Sequence, residues 1–111
     1  MKVRDIVEAL NLKVLSGESG LDKEVEGCYV SDLLSDVMGN ADMGCLWVTL
    51  QTHKNVMAIA SLKELAAVIL VKGLDASEDT KEQSNEEGIP FLSTDAETFE
   101  TAGKIYQLLN A

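Results

Sequence analysis

The chain has few basic residues and contains one proline, one histidine and one tryptophan. Nine lysine and arginine residues stand against 19 acidic ones, which gives a formal net charge of -10. Nucleic acids are bound through clustered Lys and Arg, so this balance argues against a nucleic-acid partner, and also against an anionic membrane surface. With one proline and scattered glycines there is no low-complexity segment, and the length of 111 residues predicts one domain, 1–111.

Cysteine is also scarce. Cys28 and Cys45 lie inside apolar runs without C-x-x-C spacing, which is typical of buried free thiols in a reducing, cytoplasmic location. No further ligand lies at metal-binding spacing, so we predict neither a metal site nor a cofactor. The N-terminus lacks the apolar core of a signal peptide, and no apolar run approaches the ~18 residues of a membrane span. We therefore expect a soluble cytoplasmic protein.

Hydrophobic periodicity predicts a small α/β domain. Short apolar runs at 12–15, 25–30, 45–50, 67–71 and 89–92 are strand candidates, and segments with helical spacing separate most of them. The run 67–71 is apolar throughout, which is typical of a strand covered on both faces. Because strands and helices alternate with short connections, we predict a largely parallel sheet of about four or five strands flanked by helices.

Two helices are predicted from their caps and apolar faces. Ser31 or Asp32 is expected to cap a short helix before the strand at 45–50. The run Thr94-Asp95-Ala96-Glu97 fits a capping box for the last helix. The apolar face of that last helix is predicted to consist of Phe99, Ala102, Tyr106 and Leu109.

Polar residues follow each predicted strand. Ligands bind at the carboxyl ends of the strands in parallel sheets, so these residues are expected at one edge. Thr52 and His53 stand at a helix start, where free amides and the helix dipole favour an anion, and Lys72 would supply a counter-charge. The alternative is that these residues serve only as caps and turn formers. The predicted binding edge for a small anionic or nucleotide-like ligand consists of Ser31, Asp32, Thr49, Gln51, Thr52, His53, Asn55 and Lys72.

Catalysis has little support in the sequence. The single His53 has no Ser or Cys arrangement suited to nucleophilic chemistry, and no G-x-x-x-x-G-K-[ST] phosphate loop is present. We therefore predict that the protein is not an enzyme. The main alternative function is a protein-interaction module that presents the acidic segment 77–87, which we expect to be an exposed and lightly packed helix, to a basic protein partner.

Three segments resemble stand-alone DRTGG-domain proteins: GCYVSDLLSDVMGNA, WVTLQTHKNVMAIASLKELAAVILVKG and EEGIPFLSTDAETFETAGKIYQLL. The resemblance covers roughly residues 26–109 and extends to the amino-terminal domain of HPr kinase, without its kinase domain. It implies a compact α/β domain with a regulatory or ligand-sensing role that often self-associates, here as a homodimer.

The same resemblance bears on the predicted site. Relatives attached to enzymes carry a Gly-Asp-Arg-x-Asp run after the central strand, which matches Gln51-Thr52-His53-Lys54-Asn55. In this chain the charged positions of that run are Thr52, His53 and Asn55, so the family's ligand does not carry over directly.

Overall fold

The computed structural model describes residues 1–111 and contains five α-helices and five β-strands. The helices are α1 (Val3–Leu10), α2 (Leu34–Asn40), α3 (Asn55–Leu62), α4 (Glu78–Glu87) and α5 (Thr98–Leu109). The strands are β1 (Lys13–Ser16), β2 (Gly27–Val30), β3 (Cys45–Thr49), β4 (Ala67–Leu70) and β5 (Phe91–Ser93), and a short 3-10 turn covers Glu18–Gly20.

The strands form one sheet in the order β1-β5-β4-β3-β2. Strands β2 to β5 are parallel neighbours, and β1 joins β5 antiparallel with an irregular register between Val14 and Ser16. The prediction of a largely parallel sheet flanked by helices is confirmed. Strands β1 and β2 are the two edges of the sheet.

Helices cover both faces of the sheet because the central strands are apolar on both sides. Every residue of β3 and β4 is buried. Alternate residues along a strand point to opposite faces, so Leu46 and Val48 pack with α1 and α5, whereas Trp47 packs with α2 and α3. Helix α4 lies beside α3 on this second face.

Helix α4 is held by hydroxyl and amide groups, because it offers almost no apolar side chains. The Ser84 hydroxyl accepts a hydrogen bond from the Ser16 hydroxyl at 2.8 Å and donates one to the Ile89 carbonyl at 2.6 Å. The Asn85 side chain accepts a hydrogen bond from the Gly17 N–H at 2.7 Å. The expectation of a lightly packed helix is therefore only partly right, since α4 is exposed along its acidic side and fixed along the side of Ser84.

The predicted start and apolar face of α5 differ from the structure. The helix begins at Thr98, and the Thr94 hydroxyl accepts from the Ala96 N–H inside a turn, so the predicted capping box does not form. Thr101 and Ile105 face the core, whereas Phe99 and Tyr106 are 90% and 70% exposed. The prediction of the apolar face is therefore wrong for Phe99 and Tyr106, whereas Ala102 is partly buried and Leu109 packs against the core as predicted.

No helix reaches the length and apolar content that a membrane crossing requires.

Two glycines allow the turn after β1 to lie against the start of β5. A Cβ atom on Gly20 would lie 2.0 Å from the carbonyl oxygen of Gly88, and one on Gly17 would lie 2.5 Å from the carbonyl oxygen of Ile89. Backbone atoms cannot move aside as a flexible side chain can, so this contact depends on the missing side chains. In contrast, a Cβ atom on Gly39 in α2 would meet nothing within 4 Å.

This contrast predicts opposite effects for two glycine-to-alanine substitutions. Gly20→Ala should lower the free energy of unfolding by about 3 kcal/mol, because the backbone of the turn must shift. Gly39→Ala should raise it by about 0.5 kcal/mol, because alanine loses less conformational freedom in a helix. Urea unfolding followed by circular dichroism measures both. A Gly20→Ala protein as stable as the natural one would contradict the close backbone contact.

Candidate functional site

The residues predicted to bind a ligand lie in the loops after β2, β3 and β4, at the carboxyl ends of the parallel strands. Five of them are joined by hydrogen bonds into one connected group, which consists of Asp32, Thr49, Gln51, His53 and Asn55. The Ser31 hydroxyl bonds to the Leu33 N–H and not to this group. Thr52 lies within the same loop, and Lys72 lies apart from it.

Asp32 connects the end of β2 to the end of β3. Its Oδ1 atom accepts a hydrogen bond from the Thr49 hydroxyl at 2.9 Å and another from the Leu50 N–H at 2.7 Å. Helix α2 instead begins at Leu34 without a side-chain cap, and the Ser31 hydroxyl accepts from the Leu33 N–H at 3.2 Å. The prediction that Ser31 or Asp32 caps α2 is therefore wrong. Asp32 instead accepts hydrogen bonds from the Thr49 hydroxyl and the Leu50 N–H at the end of β3. The local sequence does not indicate this contact.

The loop between β3 and α3 is held by hydrogen bonds between neighbouring residues. The Gln51 N–H donates to the Thr49 hydroxyl at 3.0 Å, and the Gln51 side-chain amide donates to the Asp32 carbonyl at 3.3 Å. The Nδ1 atom of His53 accepts from the Asn55 N–H at 3.0 Å, at the first residue of α3. The Nδ1 atom of His53 is therefore already occupied as an acceptor within the loop.

A polar cleft of about 530 Å³ lies between the starts of α3 and α4. Both helices direct the positive ends of their dipoles toward it, because their first residues line its walls. Lys54 adds a positive charge and Asp79 a negative one. None of the lining residues is hydrophobic: Thr52, His53, Lys54, Asn55, Ser77, Asp79, Thr80 and Gln83.

The sequence pointed to only one wall of this cleft. Thr52, His53 and Asn55 were among the predicted site residues, whereas the wall from α4 was not. Ser77 is the residue in the sequence that indicates the start of α4, because serine is a typical N-cap residue. Its side chain accepts a hydrogen bond from the Thr80 N–H. The packing of α4 beside α3 is a tertiary contact that periodicity does not reveal.

Lys72 does not line the cleft. Its backbone has a positive φ of 59°, and its ammonium group lies 3.9 Å from the Glu97 carboxylate. Backbone hydrogen bonds join the segment after β4 to the segment after β5, from the Lys72 N–H to the Ala96 carbonyl and from the Gly73 N–H to the Thr94 carbonyl. The counter-charge inside the cleft is supplied by Lys54 and not by Lys72.

Two other polar groups near this edge have altered proton affinities. Hydrogen bonds from the Ser31 and Tyr29 hydroxyls lower the pKa of Asp36, and the hydrogen bond to Asp36 raises the pKa of Tyr29. On β2, burial raises the pKa of the Cys28 thiol to about 12. A thiol with this pKa stays protonated at neutral pH and is a poor nucleophile.

Comparisons with known proteins agree on one family. The family model described as the DRTGG domain matches residues 5–108. No curated protein matches the chain. Neither finding bears on the similarity to the amino-terminal domain of HPr kinase, which stays a prediction.

A solved structure with the same fold is the regulatory region of a pyrophosphatase. It contains the CBS and DRTGG domains of the regulatory region of Clostridium perfringens pyrophosphatase, complexed with the activator diadenosine tetraphosphate. The TM-score is 0.77 at 14% sequence identity, and the match covers 96% of this chain. It covers 46% of the clostridial chain, so this chain spans about half the length of that relative.

The position of Asp32 predicts a specific effect on the site loop. Asp32→Ala should lower the free energy of unfolding by about 1 kcal/mol, because the Thr49 hydroxyl and the Leu50 N–H lose their acceptor. It should also speed hydrogen exchange at the Leu50 amide, measured by NMR. Asp42→Ala, at another exposed aspartate, is the control for net charge. Equal exchange rates at Leu50 in the two variants would contradict the role of Asp32.

Proposed function

The chain belongs to the DRTGG domain family, and we propose that it is a non-catalytic, ligand-sensing regulatory domain. The proposed ligand is a small anionic, nucleotide-like molecule. The proposed site is the polar cleft at the starts of α3 and α4, together with the hydrogen-bonded loop that supports it.

The observation that carries this proposal is the convergence of two helix starts on one cleft without hydrophobic lining. Helix N-termini bind anions through backbone amides and the helix dipole. Thr52 and Lys54 make no side-chain hydrogen bond or ion pair within the chain, so both are free to contact a ligand. The cleft volume of about 530 Å³ is in the usual range for small-molecule sites.

The composition of the cleft also narrows the class of ligand. Asp79 repels an anionic group on the α4 side, so an anionic group fits best near Thr52 and Lys54. The side-chain amide of Asn55 and the carboxylate of Asp79 can hydrogen-bond to the hydroxyl or amino groups of a sugar or base. A ligand with one anionic end and one neutral polar end fits this distribution, as a nucleotide does.

A nucleotide complex is known for the clostridial relative. Its regulatory region forms a complex with diadenosine tetraphosphate, and this region contains CBS domains as well as a DRTGG domain. At 14% identity the similarity supports the fold alone, so the choice of nucleotide for this chain depends on the cleft.

The hydrogen bond at the Nδ1 atom of His53 supports a binding role for this residue and not a catalytic one. A general base needs a free acceptor atom within reach of the substrate. The Nδ1 atom of His53 already accepts from the Asn55 N–H, which positions the loop at the start of α3.

A thermal-shift screen over mononucleotides, dinucleotides and phosphorylated metabolites tests the proposal. At about 100 times its Kd, a true ligand should raise the melting temperature by roughly 10 °C. Lys54→Gln and His53→Ala should each remove most of that shift. Lys63→Gln removes the same charge at the other end of α3 and should leave the shift unchanged. The proposal fails if no compound shifts the melting temperature, or if Lys54→Gln and Lys63→Gln behave alike.

We also propose that the domain acts as a homodimer. Its support is the pair of aromatic side chains left exposed on one side of α5, since Phe99 and Tyr106 are 90% and 70% exposed. Soluble monomers rarely expose large contiguous apolar patches, and such patches mark interaction surfaces.

A second candidate function is the binding of a basic protein segment. A cleft of about 710 Å³ at the opposite end of the sheet includes Glu24, Glu26, Glu64 and Glu87, with Lys23 as its one basic residue. The carboxylates on the exposed side of α4 extend this acidic surface. Charge of one sign on a surface attracts partners of the opposite sign, in a salt-dependent manner.

Charge reversal tests this second candidate. A Lys- and Arg-rich peptide should bind at low salt and dissociate as salt is raised to about 0.5 M. The double variant Glu82→Lys and Glu86→Lys should bind at least several-fold more weakly. Glu8→Lys with Glu18→Lys makes the same change in charge on other elements. Binding that is insensitive to salt, or that both double variants reduce equally, would count against the binding of a basic segment through this acidic surface. Fluorescence anisotropy of the labelled peptide measures the affinity.

A further inference from the structure

Helix α4 contributes no apolar side chain to the core. Its two buried residues are Thr80 and Ser84, whereas each of the other four α-helices buries at least one apolar residue. No residue of α4 belongs to either of the two apolar clusters that cover the faces of the sheet. Packing of an apolar face is what stabilises most helices in proteins, because an isolated helix of this length is marginal in water. Helix α4 must therefore be stabilised mainly by polar contacts.

The polar contacts that join α4 to distant parts of the chain are few. Three of its side chains form hydrogen bonds with β1, with the turn after β1 and with α3. The bonded pairs are Ser84 with Ser16, Asn85 with the Gly17 N–H, and Glu87 with the Ser61 hydroxyl. A hydrogen bond contributes only about a fivefold factor to a folding equilibrium, because the same groups bond to water when they separate.

The charges along α4 oppose its folding. Glu82 lies four positions from both Glu78 and Glu86, so it faces a like charge in each direction along the helix. The helix dipole favours carboxylates in the first turn, but it disfavours the carboxylate of Glu86 near the end of the helix. Lys81 is the one basic residue of α4, and its ammonium group lies 3.6 Å from the Glu78 carboxylate.

The chain on either side of α4 is anchored independently of the helix. Leu74 packs against the apolar core before α4, and Ile89 is buried directly after it. Strands β4 and β5 pair through their own backbone groups, and the Val68 N–H donates to the Pro90 carbonyl at 2.9 Å. The segment 77–88 can therefore separate from the sheet without breaking a backbone hydrogen bond between strands.

Both clefts described above include side chains from this segment. Asp79 and Gln83 line the polar cleft, and Glu87 lines the acidic cleft at the opposite end of the sheet. Separation of α4 from the sheet removes one wall of the first cleft and a carboxylate of the second. Both clefts are complete only while α4 is folded against its neighbours.

We infer that α4 is a local folding switch: the segment 77–88 opens and closes while the sheet and the other four helices stay folded. Segments with few buried apolar contacts open at a lower free energy than the core does, and binding elements commonly come from such segments. The effect of the switch on ligand binding rests on the proposed function, whereas the opening itself does not.

Native-state hydrogen exchange without added ligand, followed by NMR, tests the inference. The protection factor of an amide is its exchange rate in an unstructured chain divided by its measured rate. Amides in the middle of α4, from Glu82 to Asn85, should have protection factors on the order of 100-fold lower than that of the Val68 N–H in β4. Low urea should leave exchange in α4 unchanged and speed exchange at Val68, because a local opening exposes little surface.

Two buried substitutions separate local opening from unfolding of the whole domain. Ser84→Ala leaves the Ser16 hydroxyl and the Ile89 carbonyl without their partner, and should lower protection in α4 about tenfold. Ile105→Val removes one methylene group from the core on the other face of the sheet. It should lower the protection of Val68 about fivefold and leave protection in α4 unchanged.

A surface substitution tests the same switch in the opposite direction. Glu82→Lys replaces two repulsive i,i+4 pairs with attractive ones, and should raise protection in α4 about threefold. Its side chain is exposed, so the variant should fold normally. Glu8→Lys makes the same change in charge on the exposed side of α1 and is the matched control, for which protection in α4 should stay unchanged.

The inference is overturned if α4 and Val68 are equally protected, or if Ile105→Val lowers protection in α4 as much as at Val68. Either result means that α4 unfolds only together with the whole domain. Equal effects of Glu82→Lys and Glu8→Lys on α4 would also contradict it. Because no ligand is present, these results do not depend on anion binding in the polar cleft, which the thermal-shift screen decides separately.

Discussion

The rest of the structure depends on the burial of strands β3 and β4 on both of their faces. Both strands lie inside the sheet with no exposed residue, so helices must cover both sides. Burial of apolar surface at roughly 25 cal/mol per Å² is the main favourable term in folding a chain of this size. The same burial excludes charged groups from the body of the sheet and confines them to strand ends and outer helix faces. The candidate sites lie in those places.

Most of the fold follows from local sequence patterns. A continuous apolar run such as Ala67–Val71 is consistent with a strand covered on two faces, and alternation with helices implies parallel neighbours. Contacts between segments distant in the chain do not follow in this way. The Asp32 side chain satisfies groups at the end of β3, and Ser84 bonds to Ser16 across the edge of the sheet. From the sequence alone, a short polar side chain such as that of Asp32 or Ser84 is equally consistent with a helix cap and with exposure to solvent.

The error on α5 has a different cause. The rule that apolar residues at helical spacing face the core assumes that a helix has one apolar stripe. Helix α5 has an outer stripe with Phe99 and Tyr106 and an inner one with Ile105, and the outer one contains the larger side chains. Hydrophobicity alone therefore selects the wrong side. The exposed position of Phe99 becomes informative only after the sheet has been located.

Strand β2 leads from the groove beside α5 toward the polar cleft. Val30, near the end of the strand, lines the groove beside α5, and Asp32 follows two residues later. Asp32 holds Thr49 and Leu50, and the loop that they begin leads through Gln51 to the polar cleft. The end of an edge strand therefore positions the loop that lines the cleft through hydrogen bonds and not through apolar packing.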